Sequence, residues 1–118
     1  MAAGSGDEIV RFVIPITSGA SNIVRLWGKT ILDLQFPASF TAGDVIVECS
    51  HEGTTFAPAY EDDGTAITIA GDASRYVFLE ERLFQGRRYV RLKCDGQAAA
   101  RTITARVVSN ASLIHPRF

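Results

Sequence analysis

The sequence predicts an all-β protein, an antiparallel β-sandwich or jelly roll of about eight strands. Three observations predict it. Apolar residues recur with a period of two rather than 3.6; turn-forming clusters of Gly, Asp, Asn, Ser and Pro recur every 8–12 residues or so; and no stretch carries the sustained i, i+3, i+4 pattern of an amphipathic helix. The chain has 118 residues, of which 47% are apolar. That is enough for one domain with a core of its own and too little for two.

The first strand places Val10, Phe12, Ile14 and Ile16 on one side and Arg11, Val13 and Pro15 on the other. Proline has no N–H to give a ladder, so this strand lies at a sheet edge or ends at Pro15. Ser18 to Asn22 form a turn, and a short segment from Ile23 to Trp27 stops at Gly28. Leu32, Leu34 and Phe36 then alternate with Ile31, Asp33 and Gln35 until Pro37. After the turn at residues 41–44 comes a strand over 45–50, and after that at 51–55 a short strand over 56–60. Glu61-Asp62-Asp63-Gly64 precedes a strand at 65–69 that places Ile67 and Ile69 on one face. Tyr76 to Leu79 follow. Residues 80–86 lack alternation and have room for a single helical turn. Strands over 88–94 and 102–108 complete the domain. Residues 1–8 and 109–118 read as extended arms, leaving 9–108 as the sandwich.

Charge excludes several functions. The net charge is −1, which provides no global field for nucleic acid or an anionic membrane. No apolar run is long enough to span a bilayer, and the opening residues lack the pattern of a secretory leader, so cytoplasmic synthesis is expected. Within the chain, residues 30–74 hold eight acids and no base, whereas residues 75–118 hold nine bases and three acids. Ten of the twelve bases are arginine, the cation favoured in interfaces. The two halves could neutralise each other within one subunit or meet head to tail between subunits.

Strand parity points Cys49 and Cys94 inward, as reduced core thiols in a cytoplasmic protein. A bridge between them requires their strands to face each other. Glu61-Asp62-Asp63-Gly64 reads as a hairpin turn in preference to a calcium loop, since the alternation of ligands is missing. His51 lies in a turn and His115 in the tail, and neither has a metal or nucleophile–base spacing. Glu80 and Glu81 are adjacent and would point to opposite faces. No catalytic residue, metal or cofactor is therefore expected. Trp27, Tyr60 and Tyr76 are the candidates for a sugar-stacking surface.

Several segments carry a resemblance: Asp33 to Asp44, Glu48 to Phe56 with its Gly53-Thr54-Thr55-Phe56 turn, Tyr60-Glu61-Asp62-Asp63-Gly64, Leu79 to Leu92 with its Arg88-Tyr89-Val90-Arg91-Leu92 strand, and Ala98 to Thr104. Together they span about residues 30–108 and resemble small β-sandwich proteins of tailed-bacteriophage virions, of the capsid decoration (cement) or head-fibre kind. The resemblance implies a non-enzymatic protein on the capsid surface that binds the major capsid protein and itself, as a homotrimer. Arg75, Arg82, Arg87, Arg88, Arg91, Ile9, Leu113, Ile114 and Phe118 are its expected interface residues, the arms reaching other chains. The Gly-Thr-Thr-Phe turn and the Arg-Tyr-Val-Arg-Leu strand also look like discoidin-type carbohydrate-binding sandwiches. That second likeness implies host-surface attachment through Trp27, Tyr60 or Tyr76.

Overall fold

The computed structural model describes residues 8–16, 19–80 and 83–109. Among them are nine strands: β1 (Glu8–Ile14), β2 (Val24–Arg25), β3 (Lys29–Gln35), β4 (Gly43–Ser50), β5 (Ala57–Pro58), β6 (Thr68–Gly71), β7 (Tyr76–Phe78), β8 (Tyr89–Lys93) and β9 (Arg101–Ser109). They form two antiparallel sheets, one in the order β1-β9-β3-β7 and the other β2-β8-β4-β5, with β6 also on β4. As Pro15 foretold, β1 is an edge strand. Glu8 and Ser109, read as arm residues, belong to strands. The rest of both arms, with Leu113, Ile114 and Phe118, lies outside the described residues, as does Arg82.

The fifth and sixth strands are one strand interrupted. Glu48 of β4 faces Pro58, and unbroken pairing would place Tyr60 opposite Ile46; Thr68 stands there instead, eight residues further on. The excess leaves the sheet as a small hairpin closed by the Tyr60–Ala66 bridge and tipped by Glu61 to Gly64. In that turn Gly64 adopts φ +93°, a conformation glycine takes without strain. Asp63 accepts a hydrogen bond from the Thr65 N–H, which holds its carboxyl below the ordinary value. Counting β5 and β6 together gives eight strands, which alternate between sheets except at the β4–β5 hairpin, in the manner of a jelly roll.

Pairing register fixes the core. Val10, Ala105, Leu34 and Val77 form one inward row across the four-stranded sheet. From the other sheet Val45, Val47, Ile69, Val90 and Leu92 face it, all buried. The simple alternation expected for β3 is broken. Ile31 pairs with Val107 and Asp33 with Arg106, so Leu32 is a bulge. The extra residue puts both Ile31 and Leu34 in the core, where strict alternation would have kept only one. At one end of the sandwich Phe36 and Phe40 meet edge to face with centroids 4.8 Å apart, closely backed by Gly71. Buried Gln97 pins the neighbouring loop: its amide accepts from the Thr41 N–H and donates to the Thr41 carbonyl, each at 2.9 Å.

Both cysteines are free and turned toward the core, Cys94 buried and Cys49 partly so. Extending the β4–β8 register puts Cys94 beside Val45, four residues along β4 from Cys49. That is about 13 Å, too far to bridge.

The opposed charges meet inside the subunit. Arg106 Nε lies 3.1 Å from Asp33 Oδ2, and Arg91 Nε lies 2.7 Å from Glu48 Oε1. Each pair joins the acidic middle of the chain to its basic C-terminal half. On the free side of β1, the Asn22 side chain accepts from the Val13 N–H at 2.8 Å and donates to the Arg11 carbonyl at 3.0 Å.

Candidate functional sites: an apolar sheet face and a cationic groove

The outward face of the four-stranded sheet follows from the same register. Ile9, Arg106, Asp33 and Phe78 form one row from rim to rim, and Arg11, Thr104, Gln35 and Tyr76 form the next, with Val13 beside Thr102 beyond it. Ile9, Val13, Tyr76 and Phe78 are exposed, Phe78 to 79%, so apolar side chains stand on both rims. Between them the Asp33 carboxylate is only 3% exposed although it points outward. Tyr76 and Phe78 pack edge to face at 5.3 Å.

Hydrogen bonding to the Asp33 carboxylate, with some burial and the carboxylate's charge, pushes the Tyr76 hydroxyl above its ordinary pKa. The folded protein therefore holds this proton more tightly than the unfolded chain. Its contribution to stability is complete below the ordinary tyrosine value near 10 and is lost as pH rises through the higher folded value. The thermal midpoint of the wild type is expected to fall more steeply above pH 10 than that of Tyr76→Phe, followed by circular dichroism. Parallel curves would show that the hydroxyl is not coupled to folding.

The second site lies at one end of the other sheet. A cavity of about 520 Å³ is bordered by Cys49, His51, Tyr60, Arg87 and Arg88 among others. A second, of about 460 Å³, is lined by Trp27, Gly28, Gly86, Arg87 and Arg88. The two share the Gly86–Arg88 wall. That wall follows a tight turn in which the Leu83 N–H bonds the Glu80 carbonyl and buried Phe84 anchors the loop. Trp27 is 54% exposed and has φ +28°, a conformation costing about 1–3 kcal/mol for a residue with a side chain. Arg25 stacks 4.7 Å from the indole centroid, and Tyr89 meets its edge at 6.1 Å. Next to His51, the Glu52 carboxylate accepts from the Ser50 hydroxyl, backbone N–H and Thr54, and is held down to about 2. Burial pushes the Cys49 thiol up, against the pull of Arg87. A nucleophile needs the opposite shift.

No family model and no curated protein matches the chain. One solved structure does, a chain from work on Bacillus endospore appendages described as a novel family of disulfide-linked pili. The likeness covers 92% of this chain and 96% of that one, at 16% identity and a TM-score of 0.38.

The expected interface residues are scattered. Arg91 is held by Glu48 and stacks 4.3 Å from the Phe56 ring centroid, so it is internally committed. Arg75 is exposed and reaches Asp72 and the Ala70 carbonyl. Arg87 donates to the Leu83 carbonyl, and exposed Arg88 lies beside it. Ile9 stands on the sheet face described above. The three aromatics do not form one platform: Trp27 and Tyr60 border the two neighbouring cavities, whereas Tyr76 is on the opposite sheet. Among the described residues no group of three or more His, Cys, Asp or Glu is placed to hold a metal. Val13 and Phe78 were not singled out from sequence. The one available signal was the apolar residue on the polar side of β1.

Proposed function

We propose that the chain is a non-enzymatic structural protein of a tailed-bacteriophage particle, decorating the capsid by binding the major capsid protein and itself as a homotrimer. The observation that carries this reading is the outward face of the β1-β9-β3-β7 sheet. Its four exposed apolar side chains, Ile9, Val13, Tyr76 and Phe78, offer a partner apolar area to bury. Strand-borne side chains around a central ion pair lose little freedom on docking, so more of the buried area is retained as affinity. The virion-protein resemblance over residues 30–108 supports the choice of partner.

The test is co-sedimentation of the purified chain with capsid shells of its particle, with light scattering for self-association. The double variant Ile9→Thr/Phe78→Thr is expected to lose at least tenfold in shell occupancy while nearly keeping its thermal midpoint, because both side chains are exposed and no new charge is set opposite Asp33. Failure of the wild type to bind shells would overturn the reading. Unchanged binding by the variant would remove the face from it.

A further inference from the structure

The two neighbouring cavities concentrate positive charge and aromatic surface. Among the described residues neither is lined by a carboxylate, in a chain whose acids outnumber its bases thirteen to twelve. Arg75, Arg91 and Arg106 each meet an acid within the subunit. By contrast, Arg87 bonds a neutral carbonyl, and Arg88 meets no carboxylate among the described residues. Gly28 and Gly86, both at positive φ, leave the rim bare: a Cβ at either would touch nothing within 4 Å. At the far end Tyr60 is supplied by the hairpin that interrupts the β5–β6 strand. Strand insertions that re-aim a side chain recur beside functional sites.

We propose that this groove is a binding site for an acidic, carboxylate-bearing oligosaccharide. It goes beyond the capsid-binding reading and stands on the other sheet, so either can fail alone. The flat indole of Trp27, locked by Arg25 and Tyr89, is a stacking surface for the C–H face of a sugar ring. Guanidinium forks match a carboxylate in pairs of parallel hydrogen bonds, which suits Arg87 and Arg88 to a uronate or similar acid. Each cavity lies in the usual size range of small-ligand sites, and a chain of two or more sugars laid across the Gly86–Arg88 wall reaches both. Tyr60 then receives a second ring. A nucleic acid strand carries its charge on phosphates set apart from the bases that stack, whereas a uronate carries its carboxylate on the stacking ring itself, which suits a cavity lined by both Trp27 and Arg88.

Trp27 is the chain's single tryptophan, so its fluorescence reports on the groove directly. The full chain should be titrated to millimolar concentration with tetragalacturonate, a neutral galactan tetramer, inorganic phosphate and a short single-stranded DNA. A saturable change is expected with tetragalacturonate, at least tenfold tighter than with any other probe. Arg88→Ser, exposed and outside the core, is expected to weaken it at least tenfold without moving the thermal midpoint, and Arg88→Lys to restore part of the loss. No saturable response to tetragalacturonate, an equal or tighter response to any other probe, or undiminished binding by Arg88→Ser would overturn the proposal.

Discussion

Gly71→Ala is expected to lower the free energy of unfolding by about 3 kcal/mol, the upper part of the usual range for overpacking, and the thermal midpoint by about 10 °C. A Cβ at this position would lie 2.7 Å from Phe40 Cε2, 2.8 Å from Phe36 Cε2 and 3.2 Å from the Gly43 carbonyl oxygen. The first two distances are shorter than carbon atoms tolerate, so both rings must shift. Both are buried, and each packs against the other. The third neighbour is backbone of the paired strand β4, fixed by the ladder. Strain must therefore spread into both sheets. Urea unfolding monitored by circular dichroism measures the loss. A loss below about 1 kcal/mol would show that this end of the core is softer than its packing implies. Phe40→Leu in the same chain is expected to return part of the stability by vacating the tightest contact.

Arg106→Ala is expected to cost about 2–3 kcal/mol. Removing one partner of a buried pair costs about 3–5 kcal/mol, and the partly exposed guanidinium reduces that figure. The loss arises because the Asp33 side chain, only 4% exposed, would lose its ion-pair partner. Removing both charges has a different consequence. Asp33→Val/Arg106→Val places two β-branched residues on adjacent strands and is expected to be far less damaging than Arg106→Ala, within about 1 kcal/mol of the wild type. A thermodynamic cycle through both single variants measures the coupling. A double variant no more stable than Arg106→Ala would show that the pair matters for more than mutual neutralisation. The same variants bear on docking, because the pair lies in the row between Ile9 and Phe78.

What could be read in advance was local. A period of two in Phe12/Ile14, Val45/Val47 and Val90/Leu92 needs only the pleat, and it set the fold class and the inward parity of both cysteines. Pro15 marked an edge because a missing donor has the same consequence in any sheet. Register was the information that sequence withheld. Ile31 and Leu32 are both apolar, so the bulge between them left no trace in the hydrophobic pattern. The Asp63-Gly64 turn announced a hairpin, but nothing local said that the strands around it were halves of a single one. The Arg91–Glu48 pair was not legible because the two residues are 43 positions apart and adjacent only through the β4–β8 pairing. Trp27 was ambiguous for a related reason: an aromatic side chain serves equally well in a core and on a groove wall, and only the tertiary structure decides.

The Asn22 amide on the outer edge of β1 has a consequence for life at high concentration. A protein held at high concentration is crowded with its own kind. A seven-residue border strand is then an open invitation to runaway stacking. With one side-chain amide answering both the Val13 donor and the Arg11 acceptor, an incoming strand finds the middle of that border already taken. Assembly is left to side chains, which can be selective about whom they meet.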